Sequence, residues 1–362
     1  MRFLFYILAF FYGAPLFAQE YPYLFRSAYF LGRGDTGIAL AEGYEAIFYN
    51  PAGVAISDGI LNEVIFVSPT FEISQDTRDV VKEVFVQDED PTNTLRERLG
   101  EPQHFGVNNF TGVLLKRVAL GVFVSQTASA LVFRDPTLGA SEGVDAGARL
   151  DGGLVFSLAS WTWKRNLYFG FTGKYIVRSQ GAFAANAAEA NQVTELNSEK
   201  LAMTGTGFGG DFGVMYRGEA KRAPFSLGLT VQDIGGTSFS PTTKTELAKA
   251  ERPIKDIKQT VNAGLALEPG TRASKFRVLA DVRDLLDETK MDFAKKVHIG
   301  GELTVLNVVG FTFGLNQGYP TFGMFADLPF LRADLGFYSE ELGEKAGHRP
   351  DTRYFFRLMV GL

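Results

Sequence analysis

From residue 60 onward, stretches of 9 to 15 residues alternate apolar with polar or small side chains. In Asn166–Val177, Leu167, Phe169, Phe171, Tyr175 and Val177 fall on one face, while Thr172 and Lys174, with the following Arg178, take the other. In 276–284, Phe276, Val278, Ala280 and Val282 oppose Arg277, Asp281 and Arg283; in 330–338, Leu331, Ala333, Leu335 and Phe337 oppose Arg332, Asp334 and Tyr338. Period two is the strand signature. The pattern predicts strands near 60–71, 104–116, 118–133, 148–163, 166–180, 203–217, 222–234, 257–268, 273–285, 294–306, 308–316, 318–327, 329–338 and 351–362.

A soluble sandwich has the same period, so the connections decide between the two folds. Residues 72–103, 134–147, 181–202 and 235–256 make long gaps, and the gaps between them at 117, 164–165, 218–221 and 269–272 are short. Further along, 286–293 is moderate, 317 is tight and 339–350 is long again. Bacterial outer-membrane barrels have short periplasmic turns, long outer loops and an even strand count, and about fourteen strands fit that plan. The expected fold is all-β: a closed antiparallel transmembrane barrel spanning 60–362, multi-pass in the outer membrane of a Gram-negative bacterium.

On this reading the Phe-rich face meets membrane lipid or lipopolysaccharide. The inner face carries the lumen-lining polar residues Arg277, Asp281, Arg283, Glu302, Arg332, Asp334 and Arg357, together with Lys174, Arg178, Gln232, His298, Asn316 and Arg353. Charges of both signs there suggest a salt-bridge network filling the barrel ahead of an open polar path. The glycine pairs Gly152-Gly153 and Gly209-Gly210 are candidate kinks in the wall, because a bulge breaks the ladder locally.

Composition sharpens this picture. The chain is 46% hydrophobic with 33 Phe, 13 Tyr and 40 Gly, which favours short strands over helices. It has no cysteine, hence neither disulfides nor a lipid-anchoring thiol. Residues 1–18 read as a signal peptide: Arg2, an apolar run from Phe3 to Phe11, then Leu16-Phe17-Ala18 for cleavage. Gly13 and Pro15 interrupt the run, which falls short of the roughly 20 apolar residues of a helical span. Losing Arg2 takes the net charge from −5 to −6, with no basic stripe, so nucleic acid is not an expected partner. His104, His298 and His348 match no metal-ligand spacing, and no cofactor is expected.

Residues 19–59 do not read as strand. They are rich in Gly and small residues, Ala39 to Phe48 has the character of one or two helical turns, and Asn50-Pro51-Ala52-Gly53 is a turn. The segment is long enough to enter the barrel from the periplasmic side as a plug. Gly37-Ile38-Ala39-Leu40-Ala41 followed by Ala46-Ile47-Phe48-Tyr49 and the motif Asn50, Pro51, Ala52, Gly53 resembles the opening of the outer-membrane long-chain fatty-acid transporter (FadL-like) superfamily, which includes PorV-like and TraF-like barrels. Val231-Gln232-Asp233-Ile234-Gly235-Gly236, Asn316-Gln317-Gly318-Tyr319-Pro320 and the tail around Glu341-Leu342-Gly343-Glu344 and Arg349-Pro350-Asp351 resemble recurring motifs of the latter groups. The resemblance implies fourteen strands, an N-terminal plug, and passive uptake of small hydrophobic, fatty-acid-like molecules with lateral exit through the wall. Its PorV-like and TraF-like side implies instead a structural or secretion-accessory barrel, partnered by a secreted protein or by itself in a homo-oligomer.

An enzyme is not expected, since three scattered histidines have no clear serine partner. Gly32 to Gly37 and Gly205 to Gly210 match G-x-G-x-x-G, but neither has the strand before and helix after that a dinucleotide site needs. Asp35-Thr36-Gly37 looks like half an aspartic protease site without its second copy. Residues 76–99 and 242–252 are charged and partly helical in pattern, with Val80, Val81, Val84 and Phe85 at helical spacing, and read as outer loops.

Overall fold

A computed structural model describes residues 23–57, 59–86, 98–135, 141–162, 164–186, 202–220, 223–243, 254–269 and 274–362; the signal-peptide reading lies outside them. Its strands are β1 (Leu61–Val67), β2 (Thr70–Ser74), β3 (Pro102–Leu115), β4 (Val118–Asp135), β5 (Ser141–Trp161), β6 (Leu167–Asn186), β7 (Ala202–Ala220) and β8 (Ala223–Gln232). They continue with β9 (Ser240–Thr243), β10 (Thr260–Leu267), β11 (Ser274–Val282), β12 (Val297–Val305), β13 (Val309–Asn316), β14 (Tyr319–Leu328), β15 (Leu331–Glu341) and β16 (Pro350–Gly361).

β1 and β2 are one strand broken at Ser68-Pro69. Both halves pair antiparallel with β16 on one side and β3 on the other, which closes the sheet on itself. β9 lies off the path, paired only to β7. The result is a closed antiparallel barrel of 14 strands. Closure removes both edges, and every strand finds its ladder partners within the chain.

Alternation sets the two faces. Leu154, Phe156 and Leu158 of β5, Phe169 and Phe171 of β6, and Leu335 of β15 stand exposed on the outside. Asp151, Thr172, Lys174, Arg178 and Asp334, at the opposite parity on the same strands, are buried within. Apolar residues exposed right round a closed barrel have only acyl chains to meet, and the protein is an integral outer-membrane protein. Among the described residues no helix is long and apolar enough to cross a membrane.

The short turns after β3, β5, β12 and β14 and the end of β16 lie at one end, the periplasmic one. The outer end carries the longer connections. The first of these holds a helix, Gln75–Val86, begun by Ser74, whose Oγ accepts from the Thr77 N–H at 3.1 Å. Val84 and Phe85, half of the apolar set read there, lie outside the residues whose side chains are described.

The connection expected at 134–147 is shorter than read. β4 and β5 stay paired out to Asp135 and Ser141, and β6 runs to Asn186. Beyond the lipid no outward side chain need be apolar, so the alternation fades while the ladder continues.

Candidate functional site

The lumen is filled by residues 23–57. They enter it beside the outer halves of β3 and β15 and leave at the periplasmic end, where β1 begins. α1 (Ala28–Gly32) is followed by a tight turn at 33–36, a 3-10 turn at Gly43–Glu45, α2 (Ala46–Tyr49) and a second 3-10 turn at Pro51–Ala55. The helical reading of 39–48 thus applies to its second half, and α1 carried no periodic signal.

Inward-facing glycines of the wall receive the backbone of this plug. A β-carbon at Gly170 of β6 would strike the Pro51 carbonyl, at Gly213 of β7 the Asn50 side chain, and at Gly228 of β8 the Ile38 carbonyl. At Gly264 of β10 it would meet Ala39 N, at Gly300 of β12 the Arg33 carbonyl, at Gly314 of β13 Gly34 N, and at Gly323 of β14 Gly32. The plug answers with its own small residues. Gly34, at φ +72°, lies against the Ile299 and Leu315 backbones. Of the glycines that spell a false dinucleotide motif, 32 and 34 are therefore contact points of plug and wall, while a β-carbon on Gly37 would meet Phe30 and Tyr49 of the plug itself.

The plug motif is built for the same purpose. Asn50 caps the turn it begins, its Oδ1 accepting from Ala52 N at 3.2 Å. Its Nδ2 donates to the Ile38 carbonyl at 2.6 Å and to the Val214 carbonyl of β7 at 3.3 Å. Pro51 begins the 3-10 turn, where no backbone N–H is needed. Ala52 is fully buried, and a β-carbon on Gly53 would collide with the Ala41 carbonyl.

On the β10–β16 side the lumen is ionic, and most of the polar residues singled out there are placed against the plug or against a neighbour that touches it; Asn316 donates instead to the Ser339 carbonyl at 2.7 Å and Arg353 pairs with Asp351 at 2.6 Å. Asp281 accepts from Gly37 N at 2.7 Å and Ile38 N at 3.0 Å. Arg283 donates to the Asp35 carbonyl at 2.5 Å and pairs with its carboxylate at 3.1 Å. Glu302 takes Arg33 at 3.1 Å, Arg277 at 3.3 Å and the Tyr29 hydroxyl. Arg357 bridges Asp334 at 2.7 Å and Glu45 at 2.9 Å and donates to the Tyr44 hydroxyl; Arg332 joins Asp334 at 3.0 Å. His298 Nδ1 lies 2.9 Å from the Gly34 carbonyl, and Gln232 donates to the Phe48 carbonyl at 2.6 Å.

What the sequence did not offer is the plug's half of these pairs. Arg26 reaches Glu340 at 3.0 Å, and Asp35 accepts from the Tyr49 hydroxyl at 2.6 Å. Four of the five charged residues of 23–57, Arg26, Arg33, Asp35 and Glu45, were the available signal: these four are buried, as lone charges in a dry lumen cannot be.

On the β3–β7 side the lumen holds an apolar cluster, beside ion pairs such as Arg178 with Asp151 at 2.6 Å. Leu24, Phe25, Phe48 and Tyr44 of the plug pack with Phe110, Phe123, Val155, Ile176 and Met215 of the wall. Phe25 stacks on Phe48 at 4.3 Å and Tyr44 on Phe110 at 5.0 Å. A small cavity of about 40 Å³ lies between Leu24, Phe25, Phe48 and Ile257 on one side and Lys174, Asp211 and Arg283 on the other. A larger one, about 450 Å³, opens to the periplasm and is lined by Glu42, Glu63, Arg277 and Arg332.

Besides a register shift between Leu61 and Glu63 of β1, the wall is irregular, among the described residues, at two places. Gly152 and Gly153 are at neither: β5 passes them in unbroken register with β4 and β6. Gly209 and Gly210 keep register with β6, but on the other edge β7 changes partner there, from β8 at Phe212 to β9 at Thr206. The second place is Ser68-Pro69, beside the Tyr44–Phe110 stack. There Ser68 N donates to the Asn109 side chain at 2.8 Å instead of to the ladder, and the Ser68 hydroxyl lies 3.3 Å from that of Tyr44.

Neither a family model nor a curated protein matches the chain. Among solved structures it is similar to the TodX monoaromatic hydrocarbon channel (a deltaS2 mutant), with 13% identity and a TM-score of 0.48 over 93% of this chain and 97% of that one. It is also similar to the toluene transporter TbuX of Ralstonia pickettii, with 10% identity and a TM-score of 0.47 over 91% and 96% of the two chains. A third is the CymD monoaromatic hydrocarbon channel, with 12% identity and a TM-score of 0.49 over 94% and 98%.

Proposed function

We propose that this outer-membrane barrel admits small hydrophobic molecules passively, along the seam between the plug and the β3–β7 wall, and releases them sideways through the interruption at Ser68-Pro69. The observation that carries the reading is the division of the lumen. Ion pairs fix the plug chiefly on the β10–β16 side, whereas towards β3–β7 an apolar cluster that includes Phe48, Phe110 and Phe123 holds it, alongside hydrogen bonds to the Tyr23, Arg26 and Ile47 carbonyls and an ion pair of Arg217 with Glu42 at 3.1 Å. Within that cluster an apolar guest competes with dispersion contacts, and the ionic side keeps the plug in place while the seam parts. Fatty-acid-like molecules are the candidate guests.

Purified protein in liposomes should take up a radiolabelled small hydrophobic probe faster than empty liposomes, and Phe110→Trp, which narrows the seam, should slow it. Uptake equal to that of empty liposomes for every amphipathic and apolar probe tried would overturn the reading. The fixed plug supports a second one, a barrel without a through-path that acts through its outer loops or by self-association. A stable homo-oligomer or a co-purifying exported protein, with no uptake, is the outcome that favours it.

A further inference from the structure

We propose that Asp233–Phe239, the excursion between β8 and β9, is a second stopper that closes the outer half of the lumen independently of the N-terminal plug, and that Lys174 is its latch. The inference holds whatever passes through the barrel.

β7 and the chain that pairs with it advance unequally here. From Phe212 to Thr206, β7 covers six steps, while its partner needs nine, from Val231 to Ser240. The surplus turns inward. Asp233, Gly235 and Gly236 have φ of +51°, +77° and +81°, which makes a sharp bend that glycine permits without strain. Thr237 then pairs with Ile257 in a two-way bridge, N–H to carbonyl at 2.8 and 2.9 Å.

The seat is made of glycine. Gly205, Gly207 and Gly209 alternate along the inner face of β7. A β-carbon on Gly207 would lie 2.8 Å from the Ser238 carbonyl, and one on Gly209 2.9 Å from an Asp233 oxygen. A side chain at Gly207 or Gly209 would hold the segment off the wall, whereas a β-carbon at Gly205 meets first the far end of the Ile254 side chain. Thr237 is fully buried and Phe239 nearly so, and Phe239 joins Ile176, Ile254 and Ile257 in the apolar cluster below.

The latch is ionic. Lys174 Nζ, on the inner face of β6, sits 2.7 Å from Asp211 of β7 and 2.8 Å from Asp233 of the excursion. Asp233 N donates to Asp211 at 2.8 Å, and the Thr237 hydroxyl to Asp233, also at 2.8 Å. Two carboxylates brought this close need the ammonium between them. Without it their repulsion acts between the wall and the excursion, and pushes the excursion off its seat.

The chain has no cysteine, so introduced thiols report alone. A β-carbon at Gly205 would be 3.4 Å from Phe239 Cβ, close to the spacing of a disulfide. In outer-membrane vesicles G205C/F239C should crosslink on mild oxidation, and adding Lys174→Met, which leaves Asp211 and Asp233 to repel each other, should abolish that crosslink. In a separate protein, Ile176→Cys places a thiol beneath the excursion. Its labelling by a water-soluble maleimide should be slow; Lys174→Met should raise the rate at least about a hundredfold, as breaking a buried charge pair requires, and Asp233→Asn, which leaves Lys174 paired with Asp211, should raise it less. Failure of G205C/F239C to crosslink, fast labelling of I176C in the otherwise unchanged protein, or slow labelling that neither latch variant accelerates in barrels still folded by gel mobility would each overturn the proposal.

Discussion

Gly152 and Gly213 are the same residue on nearby strands facing opposite ways. A β-carbon on Gly152 would point into lipid and meet only the Phe123 carbonyl at 3.7 Å; one on Gly213 would displace the Asn50 side chain. Gly152→Ala should therefore leave stability within about 0.5 kcal/mol. Gly213→Val should cost about 1–3 kcal/mol by overpacking and should speed proteolysis within 23–57 while the barrel keeps its folded gel mobility. Equal protease resistance of both variants would count against the glycine seat. Asp281 makes a similar test from the polar side. Its carboxylate is the acceptor for two plug N–H groups, so Asp281→Ala leaves Gly37 N and Ile38 N unpaired in a dry site. Each lost partner costs roughly 1–3 kcal/mol, and the melting temperature should fall accordingly. Asp281→Asn, which keeps an acceptor oxygen, should fall less.

Among the elements, the strands were legible and so was the plug as a segment, but the elements inside the plug were not. A strand that faces lipid on one side and a packed lumen on the other must alternate, so its period is written in the sequence; every strand of the barrel path overlaps its predicted stretch. α1 is held in place by the wall, not by its own periodicity, and nothing local announces it. The lumen residues were found by parity alone, but parity does not say what they touch, and their partners lie some 200 to 300 positions away, as Arg357 does from Glu45. The motif at 341–351 shows the same limit. Glu341 accepts from the backbone N–H of Gly343, Gly347, His348 and Arg349 and from the Tyr319 hydroxyl, so its carboxylate organises an outer loop that reads in sequence only as charged. Asp284 does the same for the loop between β11 and β12. Burial pushes its carboxyl up, but donors from the Thr289 hydroxyl, Thr289 N, Glu288 N and Lys296 outweigh this and hold it below the ordinary carboxylate range. A depressed folded value means the loop's stability is complete above the unfolded value of about 3.9 and is lost as pH falls through the folded one. The protection factors of the Glu288 and Thr289 amides should hold down to about pH 4 and fall only below it; protection lost already near pH 6 would contradict this.

For the molecule as a whole, the wall and its filling are separable. The barrel's ladder closes through β16, β1 and β2 without any contribution from 23–57, so the wall does not depend on the plug for its backbone hydrogen bonds. The plug brings instead the counter-charges: Arg33 for Glu302, Asp35 for Arg283 and Glu45 for Arg357. In a plugless barrel those wall charges face water, which solvates them as it does in open porins, so their desolvation cost disappears along with their partners. Deleting 23–57 should thus give a barrel that still inserts and folds but conducts ions in planar bilayers, where the intact chain shows no steady conductance. With Gly205 and Phe239 also joined through introduced cysteines, the two stoppers come apart as variables. Conductance of the plugless barrel should be lower with the disulfide formed than after reduction, because the outer constriction then acts alone. A plugless barrel that stays closed in both states would mean the wall collapses onto its own charges, and the plug would then be part of the wall's stability and not a filling.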